Sequence, residues 1–146
     1  MKRAEFFLFA IFASWAIFIP GCIITDHESQ GCYGNDCGVG PGNIGFWWSF
    51  ELPDGSSTDS CELADVARVD VRVFDSEGYL EYSVLDRPCG DLGLDLTNFA
   101  SDWYDIQLTG RCPLGTTTHE GWFEQYIYPG ENELGVLTLD YLGPCL

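Results

Sequence analysis

The chain has little positive charge. Its 146 residues contain six lysines and arginines against 23 aspartates and glutamates, which gives a net charge of −17. No lysine occurs after Lys2, and the basic residues beyond Arg3 are all arginines: Arg68, Arg72, Arg87 and Arg111. A field this negative repels polyanions, so we expect neither nucleic acid nor electrostatic adsorption to anionic lipid.

Long hydrophobic runs and helical periodicity are also scarce. The longest apolar run, Phe6 to Ile19, has 14 residues. That is short of the roughly 20 residues that a membrane-spanning helix needs. An aromatic content of 15% and a hydrophobic content of 46% argue against a disordered chain, because enough apolar surface exists to offset the entropy of ordering. The length suits one domain rather than two.

The first 21 residues have the pattern of a signal peptide. A basic start at Lys2 and Arg3 precedes the apolar run, which ends in Ile19-Pro20-Gly21-Cys22. This ending resembles the lipobox of bacterial lipoproteins, in which an aliphatic residue, a variable one and a small one precede an obligatory cysteine. The resemblance implies cleavage after Gly21 and acylation of Cys22 on its sulfur and on the new amino group, as in palmitate-bearing lipoproteins.

The resemblance also implies a location. Three acyl chains, at about 0.8 kcal/mol per buried methylene, would anchor the protein firmly in a membrane. Ile23 stands where lipoproteins retained in the inner membrane carry aspartate, so we expect the outer membrane of a bacterial envelope. The alternative is an ordinary secretory signal with Cys22 in a disulfide.

Cysteine parity favours the lipid anchor. The chain has seven cysteines, and assigning Cys22 to the lipid leaves an even number for disulfides. In an oxidising compartment they would form three bridges, with 15 connectivities open. Pairing nearest neighbours predicts Cys32–Cys37, Cys61–Cys89 and Cys112–Cys145. A metal site of Cys32 and Cys37 with His27 and Asp36 is the alternative for the first pair.

Residues 22–42 are predicted to be a tether. The segment is rich in glycine, aspartate and asparagine and has no apolar periodicity. As a flexible coil it would span about 25 Å. This length would hold the following domain clear of the lipid headgroups.

Residues 43–146 alternate between apolar and polar positions, as β-strands do. The clearest segment runs from Ile44 to Leu52, and a second alternates Val69, Val71 and Val73 with Arg68, Asp70 and Arg72, which we expect to face water. About seven such segments predict an all-β, antiparallel sandwich. A small β-barrel is the runner-up.

The middle of this domain is similar to transthyretin-like or carboxypeptidase regulatory-like domains. The similarity lies in the valine-rich strand, in Leu94-Asp95-Leu96 and in Tyr104-Asp105-Ile106-Gln107-Leu108. It implies an immunoglobulin-like or transthyretin-like sandwich that is not catalytic. Asp102 stands where these families carry glycine.

The sequence offers few groups for catalysis or metal binding. His119 is the only histidine of the domain and lies in a polar stretch, Thr116 to Glu120, that we interpret as a solvent-facing loop. No nucleophile motif surrounds a serine, so we expect no enzymatic activity. The acidic loops 54–62 and 86–95 could bind calcium but lack the spacing of a dedicated site, so no cofactor or metal is expected.

Aromatic residues are the strongest sign of a binding site. Alternation directs the side chains of Trp47 and Trp103 away from the core, next to carboxylates, where they could stack on sugar rings. The alternative is that they cover a sheet edge or pack under loops. Trp122, Tyr126 and Tyr128 share one side of a strand and are predicted to form core or a cross-strand ladder.

These observations predict a lipid-anchored envelope protein with a non-catalytic domain that binds a ligand or has a structural role. Its partners would be the membrane, through Cys22, and a glycan or an envelope protein. The alternative function is a carbohydrate-binding module that uses Trp47 and Trp103.

Overall fold

The structure is a computed structural model that describes residues 40–146. Its strands are β1 Gly42–Glu51, β2 Ser57–Thr58, β3 Arg68–Asp75, β4 Leu80–Pro88, β5 Gly93–Phe99, β6 Trp103–Arg111, β7 Thr117–Tyr126 and β8 Gly130–Tyr141. One turn of 3-10 helix, Cys89–Asp91, precedes β5, and this part of the chain contains no α-helix. The predicted all-β class is therefore confirmed.

The strands form two packed layers. In the first sheet β1 lies between β8 on one side and β5 and β2 on the other; in the second the order is β7-β6-β3-β4. The sheets are joined where β8 turns from β1 to β7, which it pairs with only at Asp140 and Tyr141. Rings meet between the layers, with Phe99 of β5 5.3 Å from Tyr104 of β6.

Alternation along the strands builds the core. Ile44, Phe46, Trp48 and Phe50 of β1 are all buried, because every second residue of a strand points to the same side. The valines of β3 and the apolar residues of β6 bury in the same way from the other sheet: Val69, Val71, Val73, Tyr104, Ile106 and Leu108. Two sheets with one apolar side each bury both by packing face to face, so the sandwich follows from the pattern.

Two details differ from the predicted antiparallel arrangement of about seven strands. The sheet is mixed, because β1 runs parallel to β8, from Gly42 opposite Gly130 to Phe50 opposite Leu139. The eighth strand is the two-residue β2, which is too short to show alternation. The order of hydrogen-bonded strands begins at β2 and ends at β4, and these two strands do not pair with each other. The sheet is therefore open, and the alternative prediction of a β-barrel is wrong.

Asp70 corrects one prediction. It was expected to face water but is only 2% exposed. Its carboxylate lies 2.7 Å from the Arg111 guanidinium and accepts the backbone N–H of Asp86 at 2.8 Å. A buried carboxylate needs such partners, and the arginine supplies both charge and cover.

Two disulfides fasten the loops at the strand ends. Cys61 is bonded to Cys89, and Cys112 to Cys145, as the pairing of neighbours predicted. The first links the β2–β3 connection to the turn before β5, and the second links the β6–β7 loop to the residues after β8. Residues 1–21, residues 22–39 of the predicted tether (with Cys22) and the predicted Cys32–Cys37 bridge lie outside the described residues. Gly42, the last residue of the predicted tether, begins β1.

Candidate functional site

Trp47 and Trp103 are both half-exposed, with 48% and 50% of their surface accessible to solvent. The prediction that their rings point away from the core is therefore right. They do not belong to one site, however, because Trp47 lies on β1 in the first sheet and Trp103 on β6 in the second. Each points outward from its own layer, opposite to buried neighbours such as Phe46 and Tyr104.

The ring of Trp47 packs over its own sheet. Gly93 of β5 lies directly opposite Trp47, and a Cβ placed on this glycine would be 2.8 Å from the indole Cδ1. The missing side chain thus makes room for the indole to cover the β1–β5 pair. This contact fits the alternative that Trp47 covers a sheet, which is a structural role.

Trp103 instead belongs to a row of aromatic rings on the outer side of the second sheet. Its ring meets Tyr126 of β7 at 5.5 Å between centroids, and Tyr126 meets Tyr128 at 4.8 Å. Further along the same side, Phe74 of β3 stacks on Trp122 of β7 at 5.8 Å. We call this surface the aromatic face and define it by Phe74, Trp103, Trp122, Tyr126 and Tyr128.

The aromatic face corrects part of the sequence interpretation. Trp122 is 57% exposed and Tyr128 60% exposed, so neither is core. The predicted cross-strand ladder is present, with Trp103 and Tyr126 directly opposite each other. Periodicity placed Trp122, Tyr126 and Tyr128 on one side of the strand correctly, but it did not indicate that this side faces solvent.

Polar side chains hold Trp122 in place. Its indole N–H donates to Glu120 Oε1 at 3.2 Å, and the same oxygen accepts the amide of Gln107 at 2.8 Å. Gln107 in turn accepts a hydrogen bond from Arg72 at 3.3 Å. A ring fixed in this way loses less side-chain entropy when a ligand binds.

Carboxylates separate the two groups of rings. Asp105 of β6 lies directly opposite Glu124 of β7, between the Trp103–Tyr126 pair and the Gln107–Trp122 pair. Both acids line a depression of ≈ 220 Å³ together with Ser76, Trp103 and Tyr104. The hydroxyl of Tyr104 donates to the Ala100 carbonyl, and burial, followed by the charge of Glu81, raises its pKa, so this group stays protonated.

His119 does not lie in a solvent-facing loop. It is part of β7 and is fully buried, with its ring between Phe50 and Tyr141. Its Nε2 is 3.0 Å from the Glu51 carbonyl and its Nδ1 is 3.0 Å from the Thr118 hydroxyl. Burial lowers the pKa of His119. The hydrogen bond to the Glu51 carbonyl and the charge of Glu51 act to raise this pKa, but burial is the larger effect. The imidazole is therefore a neutral structural group that ties β7 to β1.

The acidic loops form no metal site in residues 40–146, where no group of three or more histidine, cysteine, aspartate or glutamate side chains could hold an ion. Asp54 is engaged locally: it accepts the Ser56 hydroxyl at 2.6 Å and the Ser56 N–H at 3.0 Å. These bonds lower its pKa. Asp86 and Asp91 lie within 4 Å of Arg68 and Arg87.

No protein-family model matches the chain, and no curated protein matches it either. The resemblances to lipoproteins and to transthyretin-like domains therefore stay predictions. Among the described residues, no helix is long and apolar enough to cross a membrane.

Proposed function

We propose that the protein is a non-catalytic module that binds carbohydrate with the aromatic face and is held at a bacterial envelope by acyl chains on Cys22. The observation that carries the binding function is the exposure of Trp103 and Trp122 on one sheet surface, where each packs against a half-buried ring, Tyr126 and Phe74 respectively. Exposed aromatic rings that lie together on one surface are a common mark of an interaction site.

The neighbouring polar groups favour sugar over a purely apolar ligand. Sugar rings present C–H surfaces, on which indole and phenyl rings stack, and hydroxyls at their edges. Glu120, Glu124 and Asp105 supply carboxylate acceptors for those hydroxyls beside the rings. The net charge of −17 disfavours acidic polysaccharides, so the proposal is limited to neutral or basic glycans.

Tryptophan fluorescence tests the binding function. We expect a saturable shift with at least one neutral or basic oligosaccharide, and Trp122→Ala should weaken binding about tenfold or more, as the loss of a stacking contact worth about 1.4 kcal/mol would. Trp47→Ala is the matched control, because it removes an indole of similar exposure from the other sheet.

Either of two kinds of result, from the glycan titrations or from lipid vesicles, would reject the binding function. The first is that no neutral or basic glycan shifts the fluorescence, or that Trp47→Ala weakens binding as much as Trp122→Ala does. The second is a blue shift with zwitterionic lipid vesicles that is lost in Trp103→Ala, which would identify the rings as a membrane-contacting surface.

The lipid anchor needs its own test. Cells expressing the chain should incorporate a radiolabelled fatty acid into it, and the intact mass should correspond to cleavage after Gly21 with acyl groups on Cys22. A Cys22→Ser protein that still takes up label would contradict the anchor without affecting the binding function.

A further inference from the structure

We infer that the aromatic face selects glycans that carry free, protonated amino groups, an inference that rests on the proposed function. The evidence is the arrangement of charge within the face. Asp105 and Glu124 lie directly opposite each other between the aromatic groups, and Phe74 lies opposite Asp105 on β3. Aromatic rings therefore border the two carboxylates along both strands and on the β3 side.

Within the described residues, 40–146, no basic side chain forms an ion pair with Asp105 or Glu124. Like charges directly opposite in an antiparallel pair repel each other. The ion pairs of residues 40–146 use other acids, namely Asp86, Asp91 and Asp70. Arg72, on the same sheet surface, is hydrogen-bonded to Gln107 instead. An ammonium group bound between the carboxylates would remove this repulsion, so the charge of the face is complementary to a cationic ligand.

The surrounding rings strengthen the same preference. A cation beside the face of an indole or phenol ring is attracted by the ring quadrupole. The depression of ≈ 220 Å³ is lined by both acids and by Trp103, so one ammonium could contact a carboxylate and a ring there. A neutral sugar would gain hydrogen bonds at this position but no charge interaction.

The spacing of the rings favours a chain of sugars over a basic peptide. Trp122 and Tyr126 are four residues apart on β7, which is about 13 Å along a strand. A ligand that covers both must offer a flat C–H surface at each end and an amine between them. An amino-sugar chain has this order of groups, whereas lysine and arginine carry their charge on flexible stems without a ring.

The test compares two oligosaccharides of equal length, a glucosamine oligomer and an N-acetylglucosamine oligomer, at a mildly acidic pH where the free amine is protonated. The unaltered protein should bind the glucosamine oligomer about tenfold or more tightly. Asp105→Asn combined with Glu124→Gln should bring the affinities for the two oligomers to within about twofold of each other, because only the charge interaction distinguishes them; both affinities can fall, since these side chains also accept sugar hydroxyls.

A second double variant controls for the overall charge. Asp95→Asn with Glu133→Gln removes the same charge from the outer side of the first sheet, where both carboxylates border Gly45. It should keep the preference for glucosamine. Equal affinity for the two oligomers would overturn the inference, as would an equal loss of preference in both double variants.

The remaining outcomes separate this inference from the proposed function. If both oligomers bind equally and Trp122→Ala weakens both, the face binds glycans without selecting amines, and only this inference fails. If neither they nor any other glycan binds, the proposed function fails too. If oligolysine binds as tightly as the glucosamine oligomer and Trp122→Ala leaves that binding unchanged, the face attracts cations in general, which also overturns the inference.

Discussion

His119 is held in the interior by two hydrogen bonds, to Thr118 and to the Glu51 carbonyl. Because burial lowers its pKa in the folded state, the unfolded state binds a proton more readily than the folded state does. Below the unfolded pKa of about 6.5, protonation therefore favours unfolding. The contribution of His119 to stability is present above that pH and is lost as the pH falls.

The substitution His119→Gln tests this linkage. The glutamine amide can donate to the Glu51 carbonyl but does not titrate, and we expect it to cost about 1–3 kcal/mol near neutral pH through imperfect packing and hydrogen bonding. Urea unfolding of both proteins between about pH 8 and pH 5 should show their difference in unfolding free energy narrowing below about pH 6.5. A difference that stays constant over that range would contradict the assignment.

The burial of His119 could not be predicted from the sequence. Periodicity reports which side of a strand a residue lies on, but what covers that side depends on distant partners. His119 is bonded to Glu51, 68 positions away, and Asp70 is covered by Arg111 from another strand. The core of β1, β3 and β6 was predictable because strict alternation with bulky apolar residues leaves only one side to bury. Trp122 follows the same alternation, yet its side faces solvent.

At the scale of the elements, the pairing of β1 with β5 depends on Gly93. A Cβ here would lie 2.8 Å from Trp47 Cδ1 and 2.9 Å from the Phe46 carbonyl oxygen. Gly93→Ala should therefore lower the unfolding free energy by about 1–3 kcal/mol, the usual cost of overpacking, despite the entropy advantage of alanine. Thermal unfolding measures the loss, and Gly90→Ala, where no atom lies within 4 Å, is the control.

Tryptophan emission gives that experiment a second readout. Displacing the indole of Trp47 should expose it further and shift its emission to longer wavelength, and Trp47→Ala in the same background should remove the shift. A Gly93→Ala protein as stable as the Gly90→Ala control would show that Trp47 is not held against β5. Trp47 would then be available for binding, as the sequence first indicated.

The disulfides act on whole loops rather than on single contacts. Cys112–Cys145 holds the chain end after β8 against the β6–β7 loop, where the Thr116 hydroxyl also donates to the Leu146 carbonyl at 2.6 Å. Loop-closure entropy assigns about 3.8 kcal/mol to this bridge and about 3.6 kcal/mol to Cys61–Cys89. We expect Cys112→Ser with Cys145→Ser to lower the unfolding free energy by about 2–4 kcal/mol.

Denaturant unfolding and hydrogen exchange separate the two bridges. In Cys112→Ser with Cys145→Ser, amide protection should fall first at Tyr141 and Leu142, because the end of β8 loses its fixed point. Cys61→Ser with Cys89→Ser should lose similar global stability but keep that local protection. Unchanged stability on removal of either bridge would contradict their structural role.

For the whole molecule, the excess of acidic charge sets the response to salt. With 23 acidic residues against six basic ones, mutual repulsion opposes the compact state. The three ion pairs of residues 40–146 act in the opposite sense, because screening weakens attraction as well. The Arg68–Asp86 and Arg87–Asp91 pairs are at least partly exposed and contribute only about 0–1 kcal/mol each, and salt screens the pair of the buried Asp70 with Arg111 only weakly, so the repulsion should dominate the response to salt.

Raising the ionic strength from about 0.01 M to about 0.15 M should therefore raise the melting temperature, by roughly 5 °C if screening recovers about 1 kcal/mol. Scanning calorimetry at a fixed pH near 7 measures the change, and sodium chloride and potassium chloride at equal ionic strength should give the same shift. Asp105→Asn with Glu124→Gln should reduce the salt effect, because it removes two of the opposed carboxylates. A melting temperature that falls with salt would contradict this prediction. It would mean that the attraction within the arginine ion pairs contributes more to the stability of the fold than the repulsion among the acidic residues removes.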